Sequence, residues 1–156
     1  KFPKITLDIV GNGPLESKLK EKVISEGLQH YIKIHGRVSD AKLARLYSKS
    51  DLFVLAHRML DNGDTEGAPT TFAEAGFYEL PSIGGINSGA SSIIDDGKTG
   101  LIINMKNNEE IITSIQKLFY DRNLLEKMGS AAYEKVLTEN TPEVIGMKFQ
   151  QILNNY

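Results

Sequence analysis

The sequence has no cysteine and no tryptophan, and only three histidines and five prolines in 156 residues. Without cysteine, neither a disulfide framework nor a thiolate metal site can exist, a composition that fits a reducing compartment. No apolar run approaches the roughly 18 residues that cross a bilayer as a helix, and no signal-peptide pattern is visible. Charge of neither sign dominates. Eighteen Lys and Arg against 20 Asp and Glu give a net charge of −2 and a pI near 5.9, without the basic footprint of a nucleic-acid binder. Repeats and low-complexity linkers are absent as well. What remains, 40% hydrophobic and 24% charged, is ordinary for a globular protein of one domain.

Short apolar, β-branched runs alternate with helical patterns. Ile5-Thr-Leu-Asp-Ile-Val10 reads as a buried strand broken by Gly11-Asn-Gly13. A helix is expected from Pro14 to about Glu26, with Leu15, Leu19, Val23 and Ile24 inward, a Glu16–Lys20 pair, and Gly27 as its stop. Tyr31 to His35 is a second strand, followed by a helix capped by Ser39 with Leu43, Leu46 and Tyr47 inward. Leu52-Phe-Val-Leu-Ala56 has the continuous apolar character of a strand covered on both faces. Short strands at Ser82-Ile-Gly84 and Leu101-Ile-Ile103 flank a short helix from Gly89. Three helical patterns then follow: Asn107–Asp121, Asn123 to about Glu139, and Thr141–Asn154. Their apolar stripes (Ile111, Ile115, Leu118; Leu125, Met128, Ala132) read as core. The alternation implies an α/β fold: a parallel sheet with helices on both faces and further helices appended at the end. Such sheets bind ligands at the carboxyl ends of their strands. The segments Gly11–Gly13, Gly36-Arg37, His57–Gly67, Gly84-Gly85 and Asn104 are therefore expected along one edge.

The most informative stretch is Glu66-Gly-Ala-Pro-Thr-Thr-Phe-Ala-Glu74. Polar residues 61–65 precede it, and Pro69 suits the first position of a helix, where its missing N–H is no loss. A helix start leaves backbone N–H groups unpaired and partly positive. Gly67 and Ala68 allow an anion such as phosphate to come close, with Thr70 and Thr71 in the first turn. Glu66 stands just before the helix and Glu74 about a turn and a half inside it.

Two carboxylates eight positions apart, the second followed by Ala, resemble the E-x7-E signature of the family-four (group 1) retaining glycosyltransferases, in their C-terminal, donor-binding domain. The resemblance continues in order through Asp8-Ile-Val-Gly-Asn-Gly-Pro14, Ser50-Asp-Leu-Phe-Val54, Leu80-Pro-Ser-Ile-Gly-Gly85 and Asp95-Asp-Gly-Lys-Thr-Gly-Leu101, and covers nearly the whole chain. It implies a Rossmann-like domain that forms half of a GT-B architecture. Residues 1–156 would be a nucleotide-sugar donor-binding domain lacking its first strand–helix unit and the N-terminal acceptor domain. The activity implied is transfer of a sugar from a nucleotide-diphosphate sugar to an acceptor glycan or lipid. Glu66 would face the transferred sugar as the catalytic carboxylate. Glu74 would accept hydrogen bonds from the ribose, and the backbone of Gly67, Ala68, Pro69, Thr70 and Thr71 would meet the diphosphate. Arg37 and Val38 would lie against the base. In the resembled fold the last helix crosses to the other domain, which would leave Ile152 and Leu153 partly exposed.

Other readings stand beside these. Gly11-Asn-Gly13 either seats a phosphate or base or is a plain tight turn; it is not the dinucleotide fingerprint, because Glu16 occupies the third glycine position. Arg37 is either part of the base site or a solvated surface residue, and His57 either touches the sugar or is structural. His30 and His35 show no ligand spacing. The family's Pro-Glu is replaced by Ser91-Ser92, so no role is carried over there. No metal site is expected, and no cofactor beyond the nucleotide-sugar donor. The location implied is cytoplasmic, with peripheral association of a longer protein at the inner membrane face left open. The alternatives are a GT-B-fold nucleotide-sugar epimerase and a non-catalytic α/β interaction domain.

Overall fold

The computed structural model describes residues 5–56 and 69–154. The chain divides into two compact units, Lys1–Lys49 and Ser50–Tyr156.

In the first unit, β1 (Leu7–Val10) and β2 (Ile32–Gly36) pair in parallel, with a register irregularity after Ile9 that sets Val10 opposite Gly36. Helix α1 (Glu16–Ser25) connects them, and α2 (Asp40–Tyr47) follows β2. The expected Glu16–Lys20 pair forms at 2.6 Å. Gly27 stops α1 as its position suggests. Its φ of +66° is left-handed, its N–H bonds the Ile24 carbonyl, and the Leu28 N–H bonds the Val23 carbonyl. This pair of bonds closes the helix end by satisfying two terminal carbonyls.

Three expectations for this unit need correction. Strand β1 is not buried: Leu7, Asp8 and Val10 are exposed and Ile9 half-buried, because among the described residues β1 is bonded along one side only, to β2. Leu15, Leu19 and Ile24 of the expected inner stripe are exposed too, and α1 has no buried residue. The helix meets β2 near Glu16, whose carboxylate lies over Gly36, and the leucine ridge stays outside that contact. Ser39 stands at the α2 N-cap, but its side chain makes no capping bond; its carbonyl takes the Lys42 and Leu43 N–H groups instead.

The second unit is a three-stranded parallel sheet in the order β3–β4–β5, comprising Phe53–Leu55, Ser82–Gly85 and Gly100–Ile103. Around it stand α3 (Thr70–Phe77), a 3₁₀ turn (Gly89–Ser92), α4 (Asn108–Tyr120), α5 (Arg122–Lys135), a π turn (Val136–Asn140) and α6 (Pro142–Asn154). Both faces of this sheet are covered, and the strand period of two sorts its side chains. Val54, Ile83 and Leu101 sit in register and pack with Leu118, Leu125 and Met128 of α4 and α5. One residue on, Leu55, Gly84 and Ile102 sit in register on the opposite face, with Phe72, Ala90, Ile93 and Ile94. The central strand β4 is buried along its whole length. At Gly84 a Cβ would come within 2.7 Å of the Ala90 Cβ and 3.0 Å of the Phe72 ring, so the absence of a side chain there admits α3 and the 3₁₀ turn.

The Asp95–Gly100 motif has a structural use. Thr99 Oγ1 accepts from the Asp95 N–H at 2.9 Å, and Asp96 Oδ1 accepts from the Ile102 N–H at 2.8 Å. Asn107 caps α4 through the Glu109 and Glu110 N–H groups, while the Glu110 carboxylate accepts from the Asn104 N–H at 2.9 Å and from the Asn107 side-chain amide at 3.0 Å, tying the end of β5 to the start of the helix. The stripe Leu118, Leu125, Met128 and Ala132 is buried as expected. Ile152 and Leu153 are exposed, and so are Ile145 and Phe149, which share their ridge on α6.

Glu79 follows α3 with φ +57°, a left-handed conformation that costs a non-glycine residue about 1–2 kcal/mol. Helix α5 passes so close that a Cβ on Gly129 would collide with the Glu79 carbonyl oxygen, which holds this backbone in place. Glu79→Gly should therefore stabilise the protein by about 0.5–1 kcal/mol, a rise of roughly 1–4 °C in melting temperature by calorimetry.

Candidate functional site

Parallel pairing puts the carboxyl ends of β3, β4 and β5 on one edge of their sheet. Helix α3 runs back across a face of it, starting at Thr70 and ending beside the opposite edge, where Tyr78 and Leu80 precede β4. Pro69 lies one step earlier than expected. With φ −64° and ψ 109° it is the N-cap, not the first helical residue, because its extended ψ brings the chain into the helix from outside. Its carbonyl accepts the Phe72 N–H at 3.1 Å. The Thr70 and Thr71 N–H groups are thus the first-turn donors that helix geometry leaves without intrahelical acceptors.

Phe72, Ala75 and Gly76 form the buried side of α3, at the i, i+3, i+4 spacing of one helix face. Glu74 falls between them in sequence and is exposed on the other side. Thr71 Oγ1 is shut off from solvent and has no hydrogen-bond partner among the described residues. A buried hydroxyl without a partner costs about 1–3 kcal/mol, so its presence at the helix start is a feature the fold alone does not require. Glu66, Gly67 and Ala68, together with His57, lie outside the described residues.

The loop after β4 is organised by Ser88. Its hydroxyl donates to the Gly85 carbonyl at 2.7 Å and accepts from the Ala90 N–H. Asn87 is held at φ +55°, and Ile86 and Asn87 are exposed beside the strand end. At the end of β5, Asn104 is committed to structure: its N–H goes to Glu110 and its Oδ1 accepts from the Lys106 N–H.

In the first unit, the Gly11 N–H bonds the Gly36 carbonyl at 2.9 Å, joining the two loops at the carboxyl ends of β1 and β2. Gly11, Gly13, Arg37 and Val38 thereby share one edge of that pair. A Cβ at Gly11 or Gly13 would meet nothing within 4 Å. Arg37 is exposed and Val38 half-buried.

Two charged groupings escaped the sequence reading. His35 Nε2 lies 2.6 Å from Asp8 Oδ1 across the strand pair, a contact visible only once the register is known. In the second unit Lys135 Nζ reaches Asp95 Oδ1 at 2.7 Å and Glu139 Oε2 at 3.2 Å. The hydrogen bond to Asp95 is the main cause that raises the Lys135 pKa above its ordinary value, against the opposing effect of burial. A hollow of about 420 Å³ opens at the amino ends of β3 and β4, beside Asp51, Tyr78, Glu79, Arg122 and Glu126. Arg122 already bonds Asp51 there at 2.8 Å. Among the described residues no group of three or more His, Cys, Asp or Glu is arranged to hold a metal ion.

Residues 1–135 match the family described as glycosyl transferases group 1. The chain belongs to this family.

Among curated relatives, the chain is similar to the GDP-mannose-dependent alpha-(1-6)-phosphatidylinositol monomannoside mannosyltransferase of Mycobacterium tuberculosis (strain CDC 1551 / Oshkosh). The two are 27% identical over 148 residues, covering 94% of this chain and 38% of the relative. The UDP-N-acetylglucosamine–peptide N-acetylglucosaminyltransferase GtfA subunit of Streptococcus gordonii is 30% identical over 141 residues, 86% of this chain and 26% of that protein. Among solved structures, Anabaena Alr3699/HepE in complex with UDP superposes with a TM-score of 0.84 at 18% identity, over 99% of this chain and 42% of the neighbour. At that identity the likeness establishes the fold: a Rossmann-like α/β domain of the group 1 glycosyltransferases. The chain spans less than half the length of the relatives it matches.

Thr71→Val keeps the shape of the side chain and removes only the partnerless hydroxyl. The melting temperature should stay level or rise, by the equivalent of about 1 kcal/mol at most. A fall of several degrees would show that the hydroxyl has a structural partner.

Proposed function

We propose that this chain is the donor-binding part of a retaining, metal-independent glycosyltransferase that moves a sugar from a nucleotide diphosphate to an acceptor glycan or lipid. The observation that carries the proposal is the start of α3. Two first-turn N–H groups and an exposed carboxylate stand on one short helix at the carboxyl ends of three parallel strands, within a group 1 glycosyltransferase chain. Relatives named for GDP-mannose and UDP-N-acetylglucosamine, and a neighbour solved with UDP, support a nucleotide-sugar donor.

In this reading Glu74 accepts two charge-assisted hydrogen bonds from the ribose diol, each worth about 1.5–3 kcal/mol. The backbone from Gly67 to Thr71 meets the diphosphate, with the helix end favouring its charge. Glu66, the first acid of the E-x7-E pair, faces the transferred sugar. Gly11 and Gly13 leave room for phosphate or base, and the Arg37-Val38 backbone reads the base. As the bond between the sugar and the diphosphate breaks, the helix-terminal N–H groups stabilise the leaving charge, and the anomeric configuration is retained. No cofactor is needed besides the donor.

The acceptor sits on a companion domain, and the α6 ridge of Ile145, Phe149, Ile152 and Leu153 packs against the rest of that longer protein. The enzyme works in the cytoplasm, peripherally at the inner membrane face where its acceptor is a lipid. Residues 1–156 alone bind donor weakly and transfer little.

Calorimetric titration with UDP-, GDP- and ADP-sugars tests the reading. One nucleotide class should bind, and Glu74→Ala should weaken it at least about tenfold, the equivalent of one such hydrogen bond, with a melting-temperature change under about 2 °C. The proposal fails if no nucleotide binds even at millimolar concentration, or if Glu74→Ala binds as wild type does.

A further inference from the structure

Helix α3 is fixed at two points on its buried side, and Glu74 lies between them in sequence. The first is Phe72, buried in the sheet over Gly84 and meeting the Phe53 ring edge-on at 5.7 Å. The second is Gly76. A Cβ there would sit 2.8 Å from Val136 Cγ2 and 3.3 Å from the Ala132 carbonyl oxygen. Carbon atoms in ordinary contact stand about 3.5–4.0 Å apart, so α3 passes the end of α5 with no space for a methyl group.

Neither neighbour can give way cheaply. The Ala132 oxygen belongs to the backbone. Val136 has helical φ −60° and ψ −45°, where a β-branched side chain is held to one strongly preferred rotamer. The residue before it, Lys135, has a side chain only 14% exposed and is pinned to Asp95 and Glu139. Asp95 opens the loop braced by Thr99, and its neighbour Asp96 holds the N–H of Ile102 in β5. A continuous set of contacts thus runs from β5 through Asp95, Lys135 and Val136 to Gly76, and ends one turn or less from Glu74.

We propose that Gly76 and Val136 are positioning residues: their contact, backed by the Lys135–Asp95 pair, sets the depth of α3 and so the place of the Glu74 carboxylate against a nucleotide. This rests on the reading of Glu74 given above. A working site needs its groups held within about 0.5 Å, and a methyl group on Gly76 demands a displacement of about 0.7–1 Å. The contact is therefore tight enough to govern the site, although neither residue touches the ligand.

The test is a binding cycle on the full chain with UDP and GDP as probes, read well below the melting temperature of each variant. Gly76→Ala should weaken binding about fivefold or more, and Val136→Ala added to it should restore binding to within about twofold by making room. In the Glu74→Ala background, Gly76→Ala should cause a clearly smaller loss, because only the first-turn N–H groups of α3 are then left to be displaced. Where Gly76→Ala alone does not fold, Val136→Ala opens the same contact by deletion and should weaken binding more in the wild-type background than in the Glu74→Ala background. The inference is overturned if these variants lower the melting temperature but leave the affinity of the folded protein unchanged. It is equally overturned if their effect persists undiminished without Glu74. A Glu74→Ala change that has no effect would instead remove the reading of the site itself, which keeps the two failures apart.

Discussion

The burial of α3 against the sheet of the second unit is the constraint on which the rest depends. The helix has only eight residues, too few to hold itself in water. Its position comes from Phe72, which fills the space over Gly84, and from the close pass of Gly76 along α5. With 72, 75 and 76 committed to the core, 74 must face out and the first-turn N–H groups must end at the strand tips. Site geometry here is a by-product of packing.

The same logic explains why so many glycines and small residues occur in this unit. Gly84 admits α3, and Gly129 admits the Glu79 backbone. Each close approach shortens the distance between layers, so that three short strands suffice to carry helices on both faces. The Asp95–Gly100 motif, which is as prominent in the sequence as the acidic pair, serves this framework. Its polar groups bond the chain to itself and to Lys135.

Much of this was legible in the sequence. The alternation of apolar runs and helical patterns marked each described strand to within a few residues, since the unbroken apolar runs of β3 and β5 and the stripe on α4 and α5 are direct imprints of a sheet covered on both faces. The stop at Gly27 was readable from local chemistry alone. What was not readable depended on partners. The Leu15–Leu19 ridge has the spacing of a core face yet stays exposed, because periodicity reports that a face is apolar and not what covers it. Ser39 has the right identity for a cap, but its carbonyl does that work. The Asp8–His35 and Lys135–Asp95 pairs join residues 27 and 40 positions apart, and only the register and the layer packing bring them together. Of the candidate site residues, Thr70 and Thr71 open α3 and Glu74 lies a turn further along the same helix, with Pro69 one position outside it.

The central claim is that nucleotide binds at the start of α3, at the carboxyl ends of the strands. Backbone amide chemical shifts recorded during titration with UDP and GDP test it residue by residue. The largest changes are expected at Thr70, Thr71 and Glu74. Changes centred on the hollow at the other strand ends, around Asp51, Tyr78 and Arg122, would contradict it, as would saturation of binding with the Thr70 and Thr71 amides unmoved.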